Sequence, residues 1–458
     1  MTVKDSICVL DWRYGSEELR KLFYPDNIIQ RYILVEKALI KGLAEAGLIP
    51  KKCIKQIEEC VKDVKADEVY ELEKKIGHDI AALTYILGER CGECGKYIHL
   101  GATSYDIVDT AWALIFRDAL ELVKAKLKSI INKLLELSYK YIDLVMVGRT
   151  HGQHALPITL GFKLANYVYE LTRSYERIRD LEKRVILGKI SGAVGTMAAW
   201  RDKGLIVESK TLEHLGLKPH IITTQVAPRD GFAELVSVLA ILGSQLDRLA
   251  LEVRELSRPE IGELYEAVER VGSSTMPHKR NPVTAERISG LARILRSLVI
   301  TALENIVLMH ERDLTNSSSE RIMLPHVFLI IDQMLEDTLF LLNHLGVDNK
   351  AIKRNLELSR GLILTEAIMV KLVEKGVPRH IAHRKLVELS RKAITEGKTL
   401  KQVLLEDEFI AKHLLRREIE ELMDPARYLG SYKALIERTR SYVEKTLVEE
   451  KINDAFQH

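Results

Sequence analysis

The sequence predicts an all-α fold built round a central bundle of long helices, and three observations carry that expectation. Apolar residues recur at helical spacing through most of the chain. Several of these runs exceed the roughly 8–20 residues usual for a globular helix. No alternating run of strand length interrupts them. In order, Ser16 reads as the N-cap of a short helix whose first turn holds Glu17 and Glu18. The segment 27–46 repeats Ile28, Ile29, Tyr32, Val35, Leu39 and Leu43, and Gly47 and Pro50 close it before a further helix to about Val64. Residues 69–88 read as one helix with His78 and Asp79 near its middle, followed by a break over 91–96 and a loop over 97–104. The run 109–141 repeats Leu114, Ala119, Leu122, Leu127, Ile130, Leu134 and Leu137. Helices that long and that apolar belong inside bundles. Further long helices are expected near 159–186, 230–256, 283–310 and 324–345, joined by loops at 148–154, 191–196, 223–225 and 272–282. After Gly346 the helices shorten and charge density rises, which divides the chain into domains 1–108, 109–348 and 349–458.

Composition excludes several function classes. The 458 residues are 47% hydrophobic and 29% charged, as in a globular protein with a sizeable core. With 68 basic against 65 acidic residues the net charge is only +3, and the two signs interleave, so neither a nucleic acid nor an anionic membrane is expected as a partner. The longest apolar runs, such as 298–303, are far too short to span a bilayer, and residues 1–14 lack the pattern of a signal peptide, which makes the cytoplasm the expected compartment. The five cysteines are Cys8, Cys53, Cys60, Cys91 and Cys94. Cys91-Gly92-Glu93-Cys94 is a CxxC without a second pair at zinc-site spacing, and Cys53 and Cys60 lie two turns apart on one helix, too far to join each other. Reduced structural thiols are the expectation, with no metal and no cofactor.

The loop Gly272-Ser273-Ser274-Thr275-Met276-Pro277-His278-Lys279-Arg280-Asn281-Pro282 carries most of the chemistry. A glycine and two prolines stop the flanking helices there, and the hydroxyls, cations and amide between them offer several donors to an anion. Gly272 is the hinge candidate for closure.

These eleven residues resemble the signature loop of the fumarase/aspartase superfamily, G-S-S-x-M-P-x-K-x-N-P. The resemblance implies an enzyme that releases fumarate by β-elimination, in which a base takes a carbon-bound proton and an acid protonates the leaving group. It makes Ser273 the base, with Lys279 and Asn281 stabilising the charged carboxylate intermediate and Ser274 binding a substrate carboxylate. Arg149-Thr150-His151-Gly152 is similar to the family's T-H element, which makes His151 the general acid, and Glu286 matches the carboxylate that orients it. His78-Asp79 resembles an H-D element that assists with the leaving group or its phosphate. His99 is similarly placed but ranks lower, and His154 reads as structural.

Elements outside the loop resemble the adenylosuccinate lyase branch. They are Arg13-Tyr14, which there contacts the nucleotide, Thr103-Ser104 in a T-S-x-D element, Lys189 to Thr196, Gln225 as a substrate-binding glutamine, and His310 to Arg321, where Arg312, Ser317 and Arg321 hold phosphate or carboxylate. Asp79, Thr103 and Ser104 join the substrate-binding set. Gly77 stands where many members carry arginine. The branch implies a nucleotide substrate and a homotetramer whose central bundle forms the core and whose sites are shared between subunits. Argininosuccinate lyase, another fumarate-releasing lyase and a catalytically silent protein of the same fold are the alternatives.

Overall fold

The computed structural model describes residues 7–268, 276 and 278–455, with side chains up to residue 447. Five long helices dominate it: Ser104–Lys140, Leu160–Val185, Arg229–Leu256, Val283–Glu304 and Thr315–Asn343. The all-α expectation holds, with only short strands beside the helices. Among the described residues no helix is long and apolar enough to cross a membrane. The chain divides into two compact units, and the division falls inside each of the five long helices.

The first unit comprises residues 1–127, 174–246 and 288–336. Its core is laid down by the helix Pro25–Glu45, which buries Ile29, Ile33, Leu39, Ile40 and Leu43 and packs on the helix Gly204–Glu213. The two helices approach so closely at Gly42 that a Cβ there would meet Thr211 Oγ1 at 2.3 Å and the Val207 carbonyl oxygen at 2.8 Å. The expected single helix over 69–88 is two helices, Ala66–Ile76 and Asp79–Arg90. Gly77 ends the first in the left-handed region, at φ 77°, and His78 starts the second as its N-cap, accepting from the Ala81 amide. The reduced thiols are also corrected: Cys53 pairs with Cys94 and Cys60 with Cys91. Each helix cysteine meets a partner from 91–94, with Cα atoms 5.4 and 5.2 Å apart, a pairing that spacing within one helix could not reveal.

The helix Thr315–Asn343 begins nine residues before the apolar pattern announces it, because its first turns are polar and Asp313 accepts from the Thr315 amide at 2.9 Å. The preceding helix correspondingly stops at Glu304 rather than near 310.

The second unit comprises residues 128–173, 247–287 and 337–458. Residues 148–154, expected as a loop, belong to a hairpin of Val145–Thr150 and Gln153–Thr159. Thr150 pairs with Gln153, so His151 and Gly152 alone make the turn, at φ 54° and 71°. Positive φ at both positions is the two-residue turn that matches strand twist. A register shift between Val147 and Arg149, with arms of six and seven residues, leaves no alternation to read. A second pair joins Leu264–Glu266 to Leu345–Val347. The shorter C-terminal helices close over Ile368, Leu372, Leu386, Leu389, Val403 and Ile410.

Candidate active site

In the first unit, three helix starts converge on a cleft of about 490 Å³. The helix Asp79–Arg90 supplies His78 and Asp79, the helix Ser104–Lys140 supplies Thr103, Ser104 and Tyr105, and the helix Thr315–Asn343 supplies Ser317, Ser318 and Arg321. Gln225, Arg312 and Tyr32 complete much of the wall. Helix N-termini present unpaired amides and a positive dipole end, a setting that favours anions.

His78 Nδ1 accepts from the Ala81 amide at 3.3 Å, which in the neutral ring leaves the proton on Nε2, 3.3 Å from Ser104 Oγ. Arg321 is tied to Asp79 at 2.6 Å. Arg312 lies over the Tyr105 ring at 3.9 Å and bonds Gln225 Oε1 and Asn316 Oδ1, each at 3.2 Å. Its Nη2 is buried and has no hydrogen-bond partner among the described residues. Burial raises the Tyr105 hydroxyl above its ordinary pKa against the opposing pull of Ser317 and Arg312, so it stays a neutral platform.

Two buried ionic clusters, neither expected from the sequence, hold these parts in place. Asp106 accepts from the Thr103 amide at 2.8 Å, Lys189 Nζ at 2.6 Å and the Ser191 amide at 2.8 Å, locking the turn before Ser104 to the turn at Ser191. Arg229 is gripped by Asp109 at 2.9 Å and by Glu320 at 2.8 Å, and so ties two of the cleft's helix starts together. All five charged groups are buried, and each has an opposite charge to meet. Asp106 and Lys189 stand inside the T-S-x-D and K-x-S-G elements, a usable signal, whereas Arg229 carries none. His99 is not part of the cleft lining and is held by Glu36: burial would lower its pKa, but the charge and hydrogen bond of Glu36, at 2.6 Å, raise it above the ordinary value.

The expected residues therefore separate. His78, Asp79, Thr103, Ser104, Gln225, Arg312, Ser317 and Arg321 share the cleft. Arg13 and Tyr14 are not part of its lining, and the Arg13 guanidinium lies 5.7 and 5.8 Å from the rings of Trp12 and Tyr14. His151, Lys279, Asn281 and Glu286 belong to the second unit, and Ser273 and Ser274 lie outside the described residues.

In that second unit His151 is exposed at the hairpin tip, and Glu286 is exposed in the first turn of Val283–Glu304. Both are exposed in the single chain, and among the described residues no hydrogen bond joins the two. Lys279 is also exposed, its amide donating to the Met276 carbonyl at 3.0 Å. Glu266 caps the helix Val283–Glu304, accepting from Thr284 Oγ1 and the Ala285 amide, both at 2.9 Å. His154 Nδ1 meets Ser359 Oγ at 2.7 Å, and burial, helped by Arg149, lowers its pKa, as suits a structural histidine. Among the described residues no group of three or more His, Cys, Asp or Glu side chains is placed to hold a metal ion.

Comparison with known proteins finds extensive similarity to lyases. A family model described as Lyase matches residues 15–295, and one described as Adenylosuccinate lyase C-terminus matches residues 361–439. The adenylosuccinate lyase of Pyrococcus abyssi is 46% identical over 440 residues, covering 95% of this chain and 98% of that protein. That of Methanocaldococcus jannaschii is 42% identical over 454 residues, covering 98% and 97%. Among solved structures, a fumarate lyase from a Mesorhizobium species superposes with a TM-score of 0.87 at 32% identity, covering 93% of this chain and 97% of that one. A 3-carboxy-cis,cis-muconate lactonizing enzyme from Pseudomonas putida also gives 0.87, at 31% identity, covering 96% and 99%.

Proposed function

The chain belongs to the adenylosuccinate lyase family, and on that premise we propose that it cleaves adenylosuccinate to AMP and fumarate. The corresponding succinyl-aminoimidazole carboxamide ribonucleotide is its second substrate, by the same C–N β-elimination. The observation that carries the reading is the cleft where Arg312 and Arg321 stand with Ser317, Ser104, His78 and Gln225. Two guanidinium forks and three helix starts suit the phosphate and carboxylates of such a substrate, and about 490 Å³ suits its size.

In the proposed mechanism Ser273 removes the proton from the carbon that bears a carboxylate. The electron pair left behind is held by Lys279 and Asn281, then forms the fumarate double bond as the C–N bond breaks. His151, oriented by Glu286, delivers a proton to the departing nitrogen. Ser274 holds a substrate carboxylate, His78 assists at the leaving group or its phosphate, and Arg13 and Tyr14 contact the nucleotide. A serine hydroxyl removes such a proton only when its alkoxide is stabilised, a task that fits the cations Lys279 and Arg280 of the same sequence run. No cofactor takes part.

The enzyme works as a homotetramer with shared sites. Ile294, Ile300 and Leu303 on the helix Val283–Glu304 are 52%, 67% and 50% exposed in the single chain, apolar surface that association would cover. The division into 1–108, 109–348 and 349–458, and a cytoplasmic location, belong to the same reading.

Absorbance-monitored cleavage of adenylosuccinate by wild type, Ser273→Ala and His151→Gln tests it. Turnover by wild type alone, with both variants folded, is the expected result. A folded wild type that leaves adenylosuccinate intact refutes the assignment and turns attention to argininosuccinate and malate.

A further inference from the structure

A two-residue turn does not fix its own direction, so what aims His151 must lie in the arms of its hairpin. Arg149, two residues before His151, donates through Nη1 and Nη2 to the two oxygens of Glu263, at 2.9 and 2.7 Å. Glu263 is fully buried, and Asn355 Nδ2 donates to its Oε1 at 2.8 Å. Its backbone is held as well, the amide donating to the Leu256 carbonyl at 2.9 Å and the carbonyl accepting from the Asp348 amide at 3.0 Å. On the opposite arm His154, the register partner of Arg149, meets Ser359. Gly148 lets the arms close, since a Cβ there would meet the Leu156 carbonyl oxygen at 2.7 Å.

We propose that Glu263 is the positioning residue for His151, acting through its two-point grip on Arg149. The proposal rests on the reading of His151 as general acid. A planar fork on a carboxylate fixes orientation as well as distance, where a single contact would leave the arm free to pivot. Glu263 takes no proton; the proton moves from His151 to the leaving nitrogen. The fixed arm holds the donor where that transfer is short. A donor misplaced by roughly 1 Å loses on the order of a hundredfold in rate.

The test compares wild type, Glu263→Gln, Arg149→Lys and His151→Gln on adenylosuccinate, each as an assembly of wild-type mass. Glu263→Gln keeps the shape and the Asn355 neighbourhood but loses the paired acceptor. The expected result is a kcat lowered about 10- to 100-fold with KM within about twofold of wild type. Arg149→Lys, which keeps the charge and loses the fork, is expected to lower kcat by about tenfold with the same unmoved KM. A folded Glu263→Gln with wild-type kcat overturns the proposal, as does one whose KM alone rises, since that marks a binding role. If Glu263→Gln does not fold, Arg149→Lys decides by the same criterion. Inactive His151→Gln beside fully active Glu263→Gln sinks the proposal alone, whereas a fully active His151→Gln sinks the reading of His151 and the proposal with it.

Discussion

Reduction of the two disulfides destabilises the protein by an amount that follows from where they sit in the chain. Cys60–Cys91 closes a loop with a sequence separation of 31. The loop-entropy relation gives it about 3.7 kcal/mol at 25 °C. Cys53–Cys94 spans a separation of 41 but encloses the first bridge. With the inner bridge in place, the path between the outer pair shortens to about ten residues, and the second contribution falls to about 2.7 kcal/mol. Adding two full loops would therefore overstate the effect, and about 6 kcal/mol is the joint figure. At roughly 2.1 cal/mol/K of unfolding entropy per residue, that lowers the Tm of the whole chain by about 6 °C. Cys53, Cys91 and Cys94 are buried in the first unit's core, so a phosphine reductant reaches them only as that core opens. Thiol titration in denaturant supplies the control: one of the five cysteines reacts before reduction and five after it. Five reactive thiols in untreated protein, or an unchanged Tm after complete reduction, would refute the reasoning.

Other perturbations give separate tests. Arg321→Met removes a guanidinium from the cleft and leaves its Asp79 partner, so KM for adenylosuccinate is expected to rise about 10- to 100-fold, the worth of a charge-assisted hydrogen bond. A KM unchanged in steady-state kinetics contradicts that placement. Burial and the charge of Asp106 push the Glu208 carboxyl up from 4.5 to about 7. Because the folded pKa is the higher one, the folded chain holds this proton between those values while the unfolded chain has lost it, and stability declines as pH rises from the lower value through the upper. Glu208→Gln is therefore expected to raise the Tm at a pH of about 8 and to do little at about 5; the reverse order in calorimetry speaks against a raised pKa at this half-buried carboxyl. Glu266→Ala deprives Thr284 and Ala285 of their acceptor at the start of Val283–Glu304, at a cost of about 1–2 kcal/mol in stability. A denaturation midpoint equal to that of wild type means the cap is idle.

Much of this molecule is legible one segment at a time. Helix spacing in residues 27–46 and 109–141 and the Ser16 cap are local properties, set by which neighbours three or four residues away can share a face. The ordered motifs were enough to name eight side chains that share one cleft, because a family pattern records residues whose chemistry, rather than whose packing, must be kept. Where a local rule met a competing local signal, the stronger won: Gly77 in a left-handed conformation split an otherwise periodic run and turned His78 from a mid-helix residue into a cap.

Pairings between distant segments belong to the tertiary structure alone. Cys53 finds Cys94, Arg229 bridges Asp109 and Glu320, Lys189 meets Asp106, and Arg149 closes on Glu263. Each joins residues at least 41 positions apart. In a sequence a buried charge looks the same as an exposed one. Its cost is offset only by a partner that folding brings within about 3 Å, so the identity of that partner is written in the packing.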